Sequence, residues 1–226
     1  MKMPLVVGLS GKMRCGKDTV ANLIIKEPAF ANIKIRRMAL ADALKREVNE
    51  AAERAGGMKE LIAALRSPQG FELSSGDYLK APEWVVYNPS APIDDACPYG
   101  KQRTLLQFWG TDFRRFQYPF YWVDQIKETI KASDAEVVLL TDLRFKNEFT
   151  WLSQNGGMTV KIERPVLEQS NTSATAKHSS ETELDDMVFD YTLVNDGDLE
   201  HLRQKAIKLF LEILKVPNSH YVPHHN

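Results

Sequence analysis

The chain has little of several things, and each scarcity excludes a class of protein. Only two cysteines, Cys15 and Cys97, occur in 226 residues. That argues against a disulfide-stapled secreted fold and for a reducing compartment. No run approaches ~18 consecutive apolar residues, the length of a membrane-spanning helix. The N-terminus passes straight into an apolar strand-like segment, so neither a signal peptide nor a membrane anchor is expected, and cytoplasmic residence follows as the default. Net charge is nearly absent as well: 29 Lys and Arg against 30 Asp and Glu leave a formal charge of -1. Such a balance gives no global pull toward a nucleic-acid polymer or an anionic membrane. Positive charge is instead clustered, at Arg36-Arg37, at Arg114-Arg115 and around Lys17, which suits small anionic ligands. The length fits one α/β core with insertions and is short for two independent domains, so a single domain over 1–226 is expected.

What is present is most concentrated in residues 5–19. The apolar run from Leu5 leads into Gly11-x-x-x-x-Gly16-Lys17-Asp18-Thr19, and Val20, Ala21, Leu23, Ile24 and Ile25 then suit a helix packed on a sheet. This is the pattern of a phosphate-binding loop. Its glycines let backbone N–H groups converge on a polyphosphate, and the helix N-terminus adds partial positive charge. Lys17 is the residue that reaches the β- and γ-phosphates. The pattern departs from its usual form at one place: Asp18 occupies the first hydroxyl position, and the hydroxyl comes at Thr19. Some nucleotide kinases shift the threonine in this way. The aspartate puts a carboxylate where an acceptor substrate would arrive. The plainer reading of the stretch is a glycine turn with no ligand.

Apolar segments at Leu5–Leu9, Ile33–Met38, Glu136–Thr141, Met158–Ile162 and Tyr191–Val194 read as strands. Helical patterns separate them at Lys17–Lys26, Ala41–Arg54, Phe120–Ala132, Leu143–Gln154 and Leu199–Leu214. Strands alternating with helices predict an α/β fold with a mostly parallel five-stranded sheet, helices on both faces and ligands at the carboxyl ends of the strands. Residues 56–100 interrupt the alternation. Met58–Arg66 looks like a short helix, and turn signals at Ala81-Pro82, Asn88-Pro89 and Ala91-Pro92 follow. This segment reads as an insertion covering the acceptor site, or as a surface excursion. Residues 165–184 contain a polar stretch (166–180) that reads as a lid or as a passive linker, with capping-box spacing at Ser180-x-x-Glu183 starting a short helix. The tail 216–226 carries His220, His224 and His225 beside prolines and reads as a disordered end.

Four further constellations carry chemistry. Asp142 ends the third strand, where a carboxylate holds Mg²⁺ or its water shell, or orients an attacking oxygen. Arg144 and Glu148, four apart at the start of the next helix, share a face, which looks into the cleft if Asp142 does; the alternative is a helix-start aspartate with a surface ion pair. Arg114-Arg115, followed by Phe116, Tyr118, Phe120, Tyr121 and Trp122, suggests a phosphate clamp after a turn, beside an aromatic wall. Trp122 either stacks on a base or belongs to a core stripe with Ile126 and Ile130. Arg164, at the root of the polar loop, is placed to meet a γ-phosphoryl group, or is a solvent-facing strand-end charge. Asn195, after the last strand, either reads an adenine edge or belongs to a plain turn that leads to an N-cap at Asp198.

Taken in order, Ser10-Gly-x-x-x-x-Gly-Lys-Asp-Thr19, Ala41-Asp-Ala-Leu-Lys45, Trp109-Gly-Thr-Asp112, Tyr121-Trp-Val123, Thr141-Asp-x-Arg-x-x-x-Glu148, Glu163-Arg-Pro165, His178-x-x-Glu181 and Asn195-Asp-Gly197 make a set that resembles the bacteriophage deoxynucleoside monophosphate kinases. The resemblance covers roughly residues 5–212. Animal-type phosphomevalonate kinases look similar at Gly16-Lys17-Asp18, at the Asp142-x-Arg144 step and at Asn195. The resemblance implies a P-loop kinase fold with an acceptor-binding region and a lid, Mg²⁺, and ATP-dependent phosphorylation of deoxynucleoside monophosphates. It also implies that a homodimer forms and that the enzyme works in the host cytoplasm if phage-encoded. Carried over by position, the ATP side comprises Gly11, Arg14, Cys15, Gly16, Lys17, Asp18, Thr19 and Asn195. Asp18, Arg114, Arg115, Trp122, Asp142, Arg144 and Glu148 line the acceptor. Lys17, Asp18, Asp142, Arg144 and Arg164 act in transfer, with Mg²⁺ on Asp18 and Asp142 through water. A non-kinase NTP-binding module is the competitor of another class. It would want a hydroxyl directly after Lys17 and commonly an Asp-Glu strand end, where this chain has Asp18 and Asp142-Leu143.

Overall fold

The computed structural model describes residues 3–165 and 183–216. The expected polar lid stretch 166–180, with His178 and Glu181, and the tail from 217 onward lie outside the described residues. The chain divides into two compact units, one formed by residues 1–40 with 126–226 and one by residues 41–125.

The first unit is built on a five-stranded sheet. Its strands are β1 (Leu5–Ser10), β2 (Ile35–Met38), β5 (Val137–Leu140), β6 (Met158–Glu163) and β7 (Tyr191–Val194), in the order β2-β5-β1-β6-β7. All four pairings are parallel; Leu5 lies opposite Val137, Ile35 opposite Val137, Val7 opposite Met158 and Val160 opposite Tyr191. The two strands at the centre explain this arrangement. Every residue of β1 and of β5 is buried, as unbroken apolar runs require when both faces of a parallel sheet are covered. Edge strand β2 carries Arg36 and Arg37, both exposed, and charge on an edge discourages further strand pairing.

Helix α1 (Lys17–Lys26) begins at Gly16 and ends before Pro28. It packs Val20, Ala21 and Ile24 into one core with Val7, Leu9, Leu139, Val160 and Ile162. The C-terminal helix, here α7 (Leu199–Lys215), adds Leu202, Ala206, Phe210 and Ile213 to that core. Gly8 matters on the other face: a Cβ there would come within 2.4 Å of Leu152 Cδ2, on helix α6 (Lys146–Gln154). Helix α5 (Tyr121–Lys131) contains the boundary between the two units. No described helix is long and apolar enough to cross a membrane.

The second unit holds α2 (Ala41–Ala55), α3 (Met58–Leu65), a two-stranded antiparallel hairpin of β3 (Phe71–Glu72) and β4 (Tyr78–Leu79), and α4 (Arg103–Gln107). Gly56 and Gly57, at φ 85° and 147°, break α2 from α3, a conformation that disfavours residues with a Cβ. Val48, Ala52, Leu61, Leu65, Val85, Leu105 and Trp109 form a core of its own, so much of the 56–100 stretch packs inward. Helix α4 runs directly into a π-helical segment, Phe108–Arg115. The turn expected before Arg114-Arg115 is therefore a widened helical turn, a local form that recurs at functional sites.

Candidate active site

The phosphate loop follows β1 at its carboxyl end. Gly11 sits at φ 142°, and a Cβ there would meet the Ile162 carbonyl oxygen at 2.2 Å. Only glycine lets the loop lie this close to β6. Gly16 caps α1 in the left-handed region, φ 109°, and Arg14 is the one non-glycine residue at positive φ among the described residues, at 65°. Held strain of this kind concentrates at ligand-binding loops. Lys17 is only 8% exposed. Its ammonium donates to the carbonyls of Gly11 (2.6 Å) and Lys12 (3.0 Å) and lies 3.7 Å from Cys15 Sγ. Burial pushes the Cys15 thiol above its ordinary value, opposed by the Lys17 charge, so the sulfur stays neutral inside the loop.

Asn195 makes contacts that its sequence context does not disclose. Its backbone N–H donates to Glu163 O at 2.7 Å, and its side-chain amide donates to Cys15 O at 2.9 Å. The amide nitrogen also fills the space that a Gly16 side chain would need, 2.8 Å from an added Cβ. Asn195 thus pins the phosphate loop to the end of β7. The turn after it does lead to a helix cap: the Asp198 carboxylate accepts the His201 N–H at 2.8 Å. Asn195→Ala is expected to raise the ATP KM about three- to tenfold, the value of one net hydrogen bond. The ratio of ATP to GTP use should stay unchanged. Base reading by Asn195 would instead shift that ratio, which steady-state kinetics with both nucleotides checks.

The loop opens onto a cavity of about 430 Å³. Arg14, Gly16, Lys17, Asp18 and Thr19 line it on the loop side; Arg164, Asn195, Gly197, Asp198, Leu199 and Leu202 complete it. Two helix N-termini, of α1 and α7, therefore border one space together with three cationic side chains. Partial positive helix ends and three cationic side chains against the two carboxylates of Asp18 and Asp198 give the cavity the chemistry that suits an anion. Leu199 and Leu202 supply an apolar margin.

Around the strand ends the charged residues are tied to one another. Asp18, two-thirds exposed, pairs with Arg37 Nη1 at 2.6 Å. Asp142 Oδ1 accepts the Leu40 N–H at 2.7 Å, joining the end of β5 to the residues after β2. Lys12, in the phosphate loop, pairs with Asp185 at 2.5 Å. Glu148 was expected among the acceptor contacts. It is 1% exposed, and its Oε2 accepts the backbone N–H groups of Arg144 (2.8 Å) and Phe145 (3.1 Å). That capping duty is why α6 starts at Lys146 and not at Leu143, and it makes Glu148 a support for the Asp142–Arg144 turn.

Mg²⁺ takes oxygen ligands and keeps several waters, so one or two carboxylates beside a polyphosphate suffice for it. Asp18 and Asp142 have the right donor chemistry. Each carboxylate already holds a protein partner, which favours contact through water over direct ligation. Among the described residues no group of three or more His, Cys, Asp or Glu is placed to hold a metal.

In the second unit, Glu47 on α2 gathers three donors. Trp109 Nε1 and Arg114 Nε each donate to its Oε2 at 2.9 Å, and the Tyr121 hydroxyl donates to Oε1. The Arg114 guanidinium carbon lies 4.7 Å from the Phe113 ring centroid and 4.8 Å from that of Tyr121. Arg115 is the next residue, at the end of the same π-helical segment. Trp122 does not form an aromatic wall for a base. It is 3% exposed, donates Nε1–H to Gly110 O at 2.9 Å and packs edge-on to Tyr121. The core-stripe reading holds for it, and Trp122 leaves the set of acceptor contacts.

Burial, then the hydrogen bond to Glu47, pushes the Tyr121 phenol up to about 12 from an ordinary value of 10.0. A raised acid is stabilising while protonated. The Tyr121 contribution should thus be constant below about pH 10 and disappear between there and about pH 12. A difference titration of tyrosinate absorbance between the wild type and Tyr121→Phe, with melting at each pH, reads both effects. A Tyr121 titration near 10 would contradict the network.

No protein-family model matches the chain. It is similar to a protein of Acanthamoeba polyphaga mimivirus named as a deoxynucleotide monophosphate kinase, at 24% identity over 90% of this chain and 94% of that one. It is also similar to the phosphomevalonate kinase of Drosophila melanogaster, at 23% identity over 95% and 98%. The deoxynucleoside-5'-monophosphate kinase of Escherichia phage T5 matches at 24% identity over 87% and 91%. Among solved structures, dephospho-CoA kinase from Campylobacter jejuni aligns over 94% of this chain and 98% of its own (14% identity, TM-score 0.48), and shikimate kinase from Aquifex aeolicus over 94% and 100% (14%, TM-score 0.44). The chain therefore resembles small-molecule kinases over nearly its whole length.

Three side-chain contacts have no signal in the sequence. Arg37 was visible only as half of a basic pair, with nothing to connect it to Asp18. Glu47 looked like any carboxylate of a charged helix. Asp185, which meets Lys12, is 173 residues away from it in the chain.

Proposed function

We propose that this protein is a nucleoside monophosphate kinase that transfers the γ-phosphoryl group of ATP to a deoxynucleoside monophosphate. The cavity at the phosphate loop carries the reading: buried Lys17, Arg14, Arg164 and two helix N-termini surround a space suited to a nucleoside triphosphate. In the reaction an acceptor phosphate oxygen attacks the γ-phosphorus, the bond to the β,γ-bridging oxygen breaks, and ADP departs. Lys17 and the loop N–H groups hold the β- and γ-phosphates. Arg164 neutralises charge on the transferring group. Asp142 orients the acceptor oxygen, or would hold the water shell of magnesium, which would withdraw charge from the phosphates when bound. Arg114 and Arg115 bind the acceptor phosphate. Support for this reading also comes from the names of two of the three curated relatives, the mimivirus and phage T5 proteins.

A phosphomevalonate acceptor is the second reading, favoured by the near-complete overlap with the Drosophila enzyme and by the burial of Trp122, which removes one base-stacking side chain. ATP consumption measured against deoxynucleoside monophosphates, ribonucleoside monophosphates and phosphomevalonate decides between them. Turnover of a deoxynucleoside monophosphate at least tenfold above the other acceptors is expected; preferred turnover of phosphomevalonate overturns the proposal.

A further inference from the structure

The Glu47 cluster does more than close a core. A carboxylate that only had to neutralise Arg114 would take two guanidinium N–H groups side by side, the geometry of strongest pairing. Glu47 instead receives Nε alone from Arg114, on the same oxygen that receives the Trp109 indole N–H. Nε is the edge of the guanidinium nearest its own backbone. The two Nη groups carry the other four N–H donors of the fork. The plane of the fork is set from two further directions, by the Phe113 ring at 4.7 Å and the Tyr121 ring at 4.8 Å. Tyr121 is itself tied to Glu47 through its hydroxyl. The π-helical turn brings Trp109 and Arg114 to one carboxylate although they are five residues apart. A π-turn closes one residue later than an α-turn.

We propose that Glu47 is a positioning residue for phosphate recognition. By holding Arg114 through Nε, it presents the Nη edge to the phosphate of the acceptor nucleotide. The role rests on the monophosphate kinase reading given above. Glu47 touches no substrate; it fixes the direction of the side chain that does. An arginine free to rotate would lose bidentate geometry and, with it, preference for a phosphate of fixed orientation.

Glu47→Gln keeps the shape and an acceptor oxygen and removes the charge that holds the guanidinium. The assay is steady-state transfer, with KM measured separately for ATP and for the deoxynucleoside monophosphate that the full-length protein uses fastest. Arg114→Ala and Arg114→Lys are the companion variants, and melting temperature and Trp fluorescence report the fold. The expected result for Glu47→Gln is a rise of roughly tenfold in the acceptor KM, the weight of a charge-assisted contact. The ATP KM should change less than twofold, with a shifted Trp109 emission. Arg114→Lys should resemble Arg114→Ala, because a lysine keeps the charge but has no fork for Glu47 to aim. If Arg114→Ala raises the acceptor KM while Glu47→Gln and Arg114→Lys behave as wild type, the positioning role is wrong and the kinase reading stands. If Arg114→Ala also leaves the acceptor KM unchanged, the acceptor assignment of this cluster falls and the positioning role with it. Should Glu47→Gln not fold, the Arg114→Lys comparison decides alone: wild-type kinetics overturn the proposal, and Arg114→Ala-like kinetics support it.

Discussion

Lys17→Ala should reduce phosphoryl transfer by about 10²–10³ while the protein keeps its fold, the usual loss when one preorganised charge contact to the transferring group is removed. The fold should survive because α1 is held by Val20, Ala21 and Ile24 in the sheet core, not by the lysine. What the variant loses locally is the pair of bonds from the ammonium to the Gly11 and Lys12 carbonyls. Gly11 and Lys12 are only partly buried, so water can replace the ammonium. Lys17→Met keeps most of the buried stem and isolates the charge. Both variants should melt within a few degrees of the wild type and bind ATP more weakly, with transfer lost in each. Wild-type turnover in either variant would mean that the glycine loop is not the phosphate cradle, and the kinase assignment would lose its foundation.

The centre of the sheet was legible in the sequence because β1 and β5 are apolar runs, and burial on both faces leaves no polar alternation to confuse the period. Helix α1 was delimited by Gly16 and Pro28, so its expected and observed bounds coincide at Lys17–Lys26. The helical pattern begins at Leu143, three residues before α6 does. Leu143 continues the apolar pattern, yet the Glu148 carboxylate turns back to the Arg144 and Phe145 N–H groups and delays the helix. The second unit was read least well. Strands of two residues, such as β3 and β4, are too short to show a period, and a π-helical turn has no spacing rule that single residues reveal. The charged partners of the site were hidden for a related reason. Which carboxylate meets Arg37, Arg114 or Lys12 depends on tertiary approach across tens of residues, and local pattern carries nothing about that.

Asp142 offers the sharpest separation of chemistry from scaffolding. Its Oδ1 accepts the Leu40 N–H at 2.7 Å, and Leu40 is buried. A purely structural aspartate would be expected to do this much. Asp142→Asn retains a carbonyl oxygen for the Leu40 N–H but removes the negative charge, whereas Asp142→Ala removes both. If the carboxylate orients the acceptor oxygen or magnesium-bound water, both variants should lose about 10²–10³ in kcat. Only the alanine variant should also lose stability, by about 1–3 kcal/mol for an unsatisfied buried N–H. For a chain of this size that corresponds to a fall in Tm of about 2–4 °C per kcal/mol. The half-saturating Mg²⁺ concentration should rise in Asp142→Asn if the water shell of the metal is its target, and stay constant if the acceptor oxygen is. A single-turnover measurement across a Mg²⁺ titration reads the chemical step free of product release. A scaffolding residue gives the opposite pattern: Asp142→Asn transfers phosphate at the wild-type rate at every Mg²⁺ concentration, and Asp142→Ala loses activity only in proportion to the protein that has unfolded.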